Sequence, residues 1–376
     1  MNNIVKTNKR AGMLTFHFAN NYGAALQTYA LQYTLNTLPD LDVEILDYWH
    51  WFVRFTDFAR FFPIDKNPKG ILSGLQTFPG RVRRLRKFRE FYEKYYTLSK
   101  RCNNSRDLKK LPPYDYYICG SDQIWNGTVT FGLSPEYFLQ FAPEGAARIS
   151  YAPSFGGDIS DEKKLERIAG MLKDFQAVSV REKAQMNQLL AQKLGREPEL
   201  LADPTFLLER EHWARLAGEK PLIKQKYILV YLMQNNEKLY QYAKKAKELL
   251  GLPVVAISRY GYKADGIIDQ VIVDAGPIEF LNLMLHAEFV CTNSFHGLAF
   301  SIIFEKKFFS FPSDRFSTRS SNLMELFHMN PPKTVTKENV KTRFYDREEV
   351  DRITRRERER ALTYLRQNIQ TGEERL

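Results

Sequence analysis

The chain has 376 residues, of which 44% are hydrophobic, and this size and composition predict a globular protein of two domains. Its 55 basic and 44 acidic residues give a formal net charge of +11, which favours an anionic partner such as a phosphate, a lipid diphosphate or an anionic membrane face. No zinc-ligand spacing, RNP-like sequence or basic zipper accompanies this charge, so we expect no nucleic-acid partner.

The sequence does not indicate membrane insertion or export. No apolar run reaches the roughly 18 residues of a transmembrane helix, and the polar start lacks the apolar core of a signal peptide. The cysteines Cys102, Cys119 and Cys291 are scattered, odd in number and without metal-ligand spacing. Two of them lie in apolar, strand-like runs, where a buried, reduced thiol is expected. These features favour a cytoplasmic protein.

The first part of the chain predicts alternating strands and helices. A strand at 11–16, an Asn/Gly turn, a helix at 24–36 and a strand at 43–47 open the pattern. Such alternation is typical of a parallel, doubly wound sheet. Short strands resume near 116–119, 149–152, 177–180 and 199–201.

Residues 48–101 interrupt this alternation. They are rich first in aromatic residues and then in bases, and one interpretation is an inserted helical subdomain with a solvated basic face. The other is a peripheral contact with the inner face of the plasma membrane or with a lipid diphosphate, because aromatic rings favour the interface and bases bind phosphate. The bases are Arg81, Arg83, Arg84, Arg86, Lys87 and Arg89.

A second set of alternating elements follows a polar connection at 209–226, and a charged terminal helix is predicted at 346–368. The predicted strands of this set are 227–231, 254–257, 271–273 and 289–291, and the helices are 236–250, 277–287 and 298–304.

The two sets predict two Rossmann-like doubly wound domains facing a cleft. The first domain is 1–210 with a helical insertion at 48–110, the second is 225–335, and 336–376 is a helical tail. Ligands in such folds bind beyond the carboxyl ends of the strands, so polar side chains at strand ends are the candidates for a site.

Known general motifs are absent. The sequence has no P-loop, GxGxxG, HExxH or GxSxG, which weighs against an ATPase, a dinucleotide oxidoreductase, a zincin and a serine hydrolase.

Two polar stretches follow predicted strands of the first domain. Residues 18–23 could bind sugar hydroxyls or could simply form an Asn/Gly turn with a helix N-cap. Residues 119–126 offer a carboxylate, amides and an indole, which suit a sugar ring and its hydroxyls, whereas turn chemistry alone explains only part of this stretch. The acceptor-binding candidates are Asn20, Asn21, Tyr22, Ser121, Gln123, Trp125 and Asn126. Asp122 is a catalytic candidate, because its carboxylate could orient or deprotonate a sugar hydroxyl.

Two further stretches favour an anionic ligand. Arg181 follows the strand near 177–180 and could fork onto a phosphate or carboxylate, or could pair with Glu182 at the surface. Residues 291–297 join a strand to an apolar helix, and the free N–H groups of a helix start bind anions. His296 within this junction could transfer a proton near neutral pH, although a lone histidine is usually structural.

Seven short runs resemble the polysaccharide pyruvyl transferase family, and they occur in the family's order from about residue 12 to residue 330. The runs are NYGAALQ (21–27), GSDQIWN (120–126), SYAPSFG (150–156), SVRE (179–182), DPT (203–205), GPIEFL (276–281) and TNSFHG (292–297).

The resemblance implies a fold similar to the GT-B glycosyltransferase architecture. It also implies phosphoenolpyruvate as co-substrate, a sugar acceptor, a cyclic pyruvate ketal as product, and neither a metal nor another cofactor. Family roles at the donor site fall on His296 and Arg181, with Asn293, Ser294 and Gly297 beside them, and Ser154 joins the acceptor candidates.

One departure from the family pattern concerns the donor site. Many members have Arg-Leu-His where this chain has Ser294-Phe295-His296, so another cation should meet the donor. The candidates are Lys306, Arg315 and Arg319.

The chemistry leads to a hypothesis with two alternatives. A triply charged donor needs cations and helix-end amides, and ketal formation needs an acid that protonates the enol methylene carbon. We expect His296 to be that acid, Arg181 and Arg319 to bind the anion, and Asp122 with Gln123 to hold a sugar that could be carried on a polyprenyl diphosphate. The alternatives are a nucleotide-sugar glycosyltransferase of the same fold and a non-catalytic carbohydrate-binding protein.

Overall fold

The computed structural model describes residues 8–61, 68–233, 236–258, 266–310, 317–332 and 334–369. The chain divides into two compact units. Unit 1 comprises Met1–Thr56, Tyr95–Leu207 and Arg356–Leu376, and unit 2 comprises Asp57–Lys94 and Leu208–Arg355.

The described elements alternate as the sequence predicts. The strands are β1 (Lys9–Leu14), β2 (Leu41–Ile45), β3 (Tyr116–Cys119), β4 (Ala147–Ser150), β5 (Ser179–Val180), β6 (Glu199–Leu200), β7 (Ile228–Tyr231), β8 (Val254–Ile257), β9 (Gln270–Ile272), β10 (Phe289–Thr292) and β11 (Lys307–Ser310). The α-helices are α1 (Tyr22–Leu35), α2 (Trp51–Phe61), α3 (Pro68–Tyr95), α4 (Ser105–Leu108), α5 (Glu162–Leu172), α6 (Met186–Leu194), α7 (Arg210–Ala217), α8 (Glu237–Leu250), α9 (Pro277–His286), α10 (Phe295–Ile303), α11 (Ser317–Leu326) and α12 (Arg347–Asn368).

Unit 1 is built on a parallel sheet with the strand order β2-β1-β3-β4. β3 is buried along its whole length, as expected of a parallel strand covered on both faces. The strand order reverses between β1 and β3, so the loops after these two strands leave the sheet in opposite directions. This switch point is where open α/β sheets bind ligands. A second pair of strands, β5 and β6, is also parallel.

Unit 2 has a five-stranded parallel sheet with the order β11-β10-β7-β8-β9. Numbered within the unit, this is the 3-2-1-4-5 order of the Rossmann fold, and its switch point lies between β7 and β10. β7, β8 and β10 are buried throughout, because helices cover both faces of the sheet. The predicted fold class, α/β with two Rossmann-like doubly wound sheets, is therefore confirmed.

The units differ from the predicted domains at two places. Residues 57–94, expected within the N-terminal domain, group with unit 2, and Arg83 of α3 forms an ion pair of 3.0 Å with Asp274 there. The tail is also divided, since 356–376 groups with unit 1. Tyr364 of α12 donates a hydrogen bond of 2.8 Å to the backbone oxygen of Ser150 in that unit.

None of the helices in the described part of the chain combines the length and apolarity needed to cross a bilayer. Cys102, Cys119 and Cys291 are all free and buried, as predicted for the two in apolar runs.

Candidate functional site

The switch point of unit 2 holds His296. This histidine lies in the first turn of α10, directly after β10, and is buried. Ser294 caps the helix by accepting a hydrogen bond from the Gly297 amide at 3.3 Å, and its own amide donates to Thr292 Oγ1 at 3.1 Å. Thr292 Oγ1 in turn donates to the backbone oxygen of Tyr231 at the end of β7. These bonds fix the start of α10 against the neighbouring central strand.

The other predicted donor residues of this junction shape the turn. The Asn293 side chain accepts a hydrogen bond of 2.8 Å from the Met233 amide just past β7. A side-chain carbon added at Gly297 would overlap Thr292, so glycine permits the close approach of helix and strand. Asn293, Ser294 and Gly297 thus hold the turn in place, and a direct contact with the donor stays a prediction.

Arg319 and His296 both contact the ring of Phe295. Arg319, in the first turn of α11, is buried, and its Cζ lies 5.8 Å from the centre of the Phe295 ring. The Phe295 ring meets the His296 ring edge-to-face at 5.1 Å. A cation and a candidate acid therefore share one aromatic neighbour at the carboxyl edge of the sheet. Arg315 lies outside the described residues.

Lys306 is not part of this arrangement. It precedes β11, whose first residue pairs with Phe289 at the start of β10, so Lys306 lies at the amino edge of the sheet. His296 follows the opposite end of β10, about 13 Å away along a four-residue strand. Lys306 Nζ donates to the backbone oxygen of Leu285, and burial lowers the pKa of Lys306 to about 8. The prediction that Lys306 binds the donor is wrong, because parallel strands separate the two edges.

The switch point of unit 1 is tied together by buried polar groups. Gln27 of α1 donates to Thr15 Oγ1 at 3.0 Å and accepts from the Ser121 amide at 3.2 Å. Thr15 Oγ1 donates to the backbone oxygen of Ser121. The loops after β1 and β3, which carry the acceptor candidates, are thereby held side by side.

Asp122 is placed by its backbone and by Arg181. Its φ of 62° lies in the left-handed region that aspartate tolerates, and its backbone oxygen accepts from the Ser154 amide at 2.8 Å. The Arg181 guanidinium lies 3.8 Å from Asp122, 3.3 Å from Glu182 and 2.6 Å from Asp203. Asp122 keeps the most exposed side chain of the four, at 13%. It is therefore the member of this network that solvent or a ligand reaches most readily.

Arg181 itself is enclosed. Its side chain is 3% exposed, and burial alone would lower its pKa, but the charges of Glu182, Asp203 and Asp122 raise it above the usual value. A guanidinium bound by three carboxylates would have to leave them to fork onto a donor. The geometry favours a positioning role for Arg181 over the predicted role of an anion clamp.

Four acceptor candidates are buried in unit 1. Trp125 is 1% exposed, its indole N–H donates to the Tyr137 backbone at 2.9 Å, and its ring stacks on Phe138 at 5.0 Å. The prediction that its face holds a sugar ring is therefore wrong, because the loop after β3 folds back and packs the indole into the core. Tyr22, Ser121 and Ser154 are also buried.

The remaining acceptor candidates are half-buried: Asn20, Asn21, Gln123 and Asn126. Asn21 is the N-cap of α1 and accepts from the Gly23 amide at 2.9 Å, so the turn interpretation of this residue is confirmed. Asn126 donates to Gln123 Oε1 at 2.8 Å, which leaves this amide pair at the rim of the Asp122 loop. Sugar binding by these four residues stays a prediction.

His17 and Asp47 form a buried hydrogen-bonded pair that the sequence pattern did not reveal. His17 Nε2 lies 2.9 Å from Asp47 Oδ1, and Trp49 Nε1 also donates to this carboxylate. Burial raises the pKa of Asp47, but the hydrogen bonds from His17 and Trp49 and the charge of Arg101 outweigh it, so the pKa is lowered. The sequence could have suggested this contact, because His17 follows β1 and Asp47 follows β2, and these two strands are neighbours in the sheet.

The basic residues of α3 are largely paired with carboxylates. Two pairs lie within the helix, Arg86–Glu90 at 3.1 Å and Arg89–Glu93 at 2.7 Å. Two others are made with the β9–α9 segment, Arg83–Asp274 at 3.0 Å and Lys87–Glu279 at 2.8 Å. Four of the six predicted bases are thus neutralised within the protein, which weakens the argument for membrane binding; such a contact through 48–101 stays a prediction.

No cluster of three or more His, Cys, Asp or Glu side chains suited to a metal ion occurs among the residues that the structure describes.

Each unit has a parallel sheet with a switch point, and the chain is therefore an α/β protein with a fold similar to the GT-B architecture. The model of the polysaccharide pyruvyl transferase family matches residues 21–315, more than half of the sequence. The chain therefore belongs to the polysaccharide pyruvyl transferase family, and the resemblance seen in the seven runs is confirmed. No curated protein matches the sequence significantly.

Three solved structures of other proteins are similar to the chain at low sequence identity. A UDP-N-acetylglucosamine 2-epimerase is 12% identical with a TM-score of 0.50, over 96% of each chain. A putative UDP-N-acetylglucosamine 2-epimerase from Listeria monocytogenes is 11% identical, with a TM-score of 0.48 over 96% of this chain and 91% of its own. The glycosyltransferase AviGT4, of avilamycin A biosynthesis, is 11% identical, with a TM-score of 0.48 over 97% of this chain and 100% of its own.

Proposed function

We propose that the protein transfers the enolpyruvyl group of phosphoenolpyruvate onto two hydroxyls of one sugar, forming a cyclic pyruvate ketal. The observation that carries this proposal is that buried His296 and buried Arg319 both contact the Phe295 ring at the switch point of unit 2. Membership of the polysaccharide pyruvyl transferase family supports it.

In this proposal unit 2 binds the donor. Phosphoenolpyruvate carries a phosphate and a carboxylate, so its site requires positive charge, and Arg319 is a buried cation that contacts the same ring as the candidate acid. His296 protonates the methylene carbon of the enol, which leaves a cationic carbon stabilised by its ester oxygen. The start of α10 adds the positive end of a helix dipole.

Unit 1 would hold the acceptor. One sugar hydroxyl adds to the cationic carbon, and Asp122 orients it and takes its proton. A second hydroxyl of the same sugar then displaces inorganic phosphate, and its proton goes to the leaving phosphate. Two carbon–oxygen bonds to the sugar form, and the carbon–oxygen bond to the phosphate breaks. Arg181 acts through Asp122, because its guanidinium orients this carboxylate, and Gln123 with Asn126 completes the contact with the sugar.

The biological setting follows from the product. Pyruvate ketals give a polysaccharide a negative charge, which fits a role in bacterial capsule, exopolysaccharide or cell-wall polysaccharide biosynthesis. The acceptor could be free or carried on a polyprenyl diphosphate.

The test compares the melting temperature of the protein with phosphoenolpyruvate, with uridine diphosphate and with sulfate. A ligand that binds only the folded state adds about 2.7 kcal/mol at 100 times its Kd, so a specific donor gives a clear increase. An increase with phosphoenolpyruvate alone supports the proposal. An increase with uridine diphosphate alone would replace it with the alternative, a nucleotide-sugar glycosyltransferase.

A variant pair then tests the acid. His296→Gln should lower the rate of phosphate release from phosphoenolpyruvate at least about 100-fold in the presence of acceptor, while donor binding is kept. His328→Gln is the matched control, because His328 is a surface histidine of the same unit with a side chain 65% exposed. Equal rates in the two variants would remove His296 from the mechanism. Sugar binding without any donor dependence would instead indicate a non-catalytic carbohydrate-binding protein.

A further inference from the structure

Large aromatic side chains form an exposed cluster on unit 1. Trp51 and Phe55 lie four residues apart on one face of α2 and are 60% and 61% exposed. Phe131, in the loop after β3, is 70% exposed. The rings of Trp51, Phe52 and Phe131 contact one another, with centres 5.0–5.8 Å apart. We call Trp51, Phe52, Phe55 and Phe131 the aromatic patch.

The patch has a buried support. The His50 ring, which is 4% exposed, stacks on Trp51 at 6.3 Å and contacts the Tyr137 ring at 5.8 Å. Val53 of α2 is also buried and packs in the core of unit 1. The positions beneath the patch are therefore already filled by other side chains, so the exposed rings have no empty core position to enter.

The exposed apolar area of the patch is large for a protein surface. An aromatic side chain offers about 150–250 Å², so the exposed parts of Trp51, Phe55 and Phe131 together amount to roughly 300–450 Å². A contiguous apolar patch of this size often marks an interaction surface, whereas single exposed apolar residues need no explanation. The patch is thus a candidate surface for a partner.

Two arginines lie beside the patch, on the ring of Trp49. The Arg101 guanidinium is 4.4 Å from the centre of this ring, and the Arg54 guanidinium is 5.9 Å from it. Arg54 is exposed, and the Arg101 side chain is 61% exposed. Arg101 pairs with Asp47 at 3.4 Å, but this carboxylate is only 9% exposed and is also bound by His17. Among the described side chains around the Trp49 ring, the exposed charges are therefore positive.

Aromatic rings beside exposed arginines fit the surface of a bilayer that contains anionic lipids. At such a surface the rings enter the boundary between headgroups and acyl chains, and guanidinium groups attract the lipid phosphates. The bases of α3 do not offer the same argument, because most of them are paired with carboxylates of the protein. Charge and apolar area together therefore favour the patch, rather than α3, as the surface that meets lipid.

We propose that the aromatic patch of unit 1 inserts into the headgroup region of an anionic bilayer, with Arg54 and Arg101 at the lipid phosphates. This inference goes beyond the proposed function, since no step of the pyruvyl transfer requires it. The loop after β3 carries Asp122 as well as Phe131, so the contact holds the loop of the acceptor candidates at the lipid surface.

The experiment is sedimentation of the full chain with vesicles of phosphatidylglycerol and phosphatidylethanolamine, compared with vesicles of phosphatidylcholine alone. The wild type should bind the anionic vesicles more tightly. Trp51→Ser and Phe131→Ser should each weaken this binding at least about tenfold, because an exposed ring no longer enters the interface. Arg54→Gln should weaken it about fivefold at low salt and less at high salt, because one attraction to the lipid charge is lost.

A matched control and a spectroscopic measurement locate the contact. Leu189→Ser removes an apolar side chain that is 41% exposed on α6 of the same unit, and vesicle binding should stay within about twofold of the wild type. Trp51 is the exposed member of the four tryptophans. Vesicles should therefore shift the tryptophan emission of the wild type to shorter wavelength, and Trp51→Phe should lose most of this shift while it keeps vesicle binding.

The outcomes separate this inference from the proposed function. A wild type that does not sediment with anionic vesicles overturns the inference, and so does binding that Trp51→Ser and Phe131→Ser leave unchanged. A dimer seen by light scattering and dissociated by Phe131→Ser, without vesicle binding, would show that a second copy covers the patch and would also overturn it. An increase in melting temperature with phosphoenolpyruvate supports the proposed function whatever the vesicles show.

Discussion

Replacing Arg181 by methionine tests whether this residue stabilises the fold through its buried carboxylate partners or binds the anionic donor. Arg181→Met keeps most of the side-chain volume but leaves Asp122, Glu182 and Asp203 without their shared counter-charge. The side chains of Arg181 and Asp203 are 3% and 0% exposed, so water cannot replace the lost partner. Removing one member of a buried ion pair costs about 3–5 kcal/mol, and we expect a loss of that size in the free energy of unfolding.

The assay is urea unfolding followed by circular dichroism, with Arg86→Met as control. Arg86 is 72% exposed and pairs with Glu90 one helical turn away, so its replacement should cost under about 0.5 kcal/mol. Adding Asp203→Asn to Arg181→Met should recover part of the loss, because one buried charge is removed. The loss in free energy of unfolding of Arg181→Met should also become smaller as the pH falls from about 8 to about 5, since protons neutralise the unpaired carboxylates.

The stabilising role of Arg181 would be refuted if Arg181→Met lost no more free energy of unfolding than Arg86→Met and if this loss did not depend on pH. If Arg181→Met then abolished binding of phosphoenolpyruvate at unchanged stability, Arg181 would be the anion clamp first expected from the sequence.

Three further predictions concern stability. Trp125→Ala should lower the free energy of unfolding by about 3–5 kcal/mol, measured by urea unfolding, because it empties a core position. Gly297→Ala should lower it by about 1–3 kcal/mol in the same assay, because the new methyl group overlaps Thr292. Asp47 has a lowered pKa, so its stabilising effect is complete above its ordinary value of 3.8 and is lost as the pH falls through the lower folded value. The stability difference between wild type and Asp47→Asn, followed by urea midpoints, should therefore shrink below about pH 4.

Each of these variants has a control. Trp51 is 60% exposed, and Trp51→Ala should change stability by no more than about 0.5 kcal/mol. Gly170 lies within α5 with open space around it, so Gly170→Ala should stabilise by about 0.5–1 kcal/mol. Equal losses of stability in Trp125→Ala and Trp51→Ala would contradict the burial of the Trp125 indole. A Gly297→Ala variant more stable than the wild type would contradict the close approach of Gly297 to Thr292. A stability difference between wild type and Asp47→Asn that stays constant down to about pH 3 would contradict the lowered pKa of Asp47.

The strands were predictable because burial leaves a local mark on the sequence. β3 and β8 coincide with the predicted runs 116–119 and 254–257, since strands covered on both faces are short and continuously apolar. The position of His296 was predictable for the same reason, because the buried strand β10 and the apolar helix α10 bracket it.

Contacts between residues far apart in the sequence produce no local sequence pattern of this kind. The polar neighbours of Trp125 suggested a sugar site, yet its ring stacks on Phe138, which no helix or strand period connects to it. The ion pair between Arg83 and Asp274 joins residues 191 positions apart, so the attachment of α3 to unit 2 was invisible in the sequence. Lys306 was misjudged because its edge of the sheet depends on the pairing of β11 with β10.

The division of unit 2 into two chain segments has a consequence for synthesis on the ribosome. Its segment 57–94 emerges first, but its sheet lies in 208–355, so the unit cannot be completed until that later segment has been made. Until then Arg83 and Lys87 lack their carboxylate partners, and the face of α3 around Gly80, which packs against Val273, stays uncovered. A fragment that begins at residue 208 should accordingly be less stable and less soluble than the same fragment supplied with a 57–94 peptide, whereas a unit folding independently of α3 would gain nothing from the peptide.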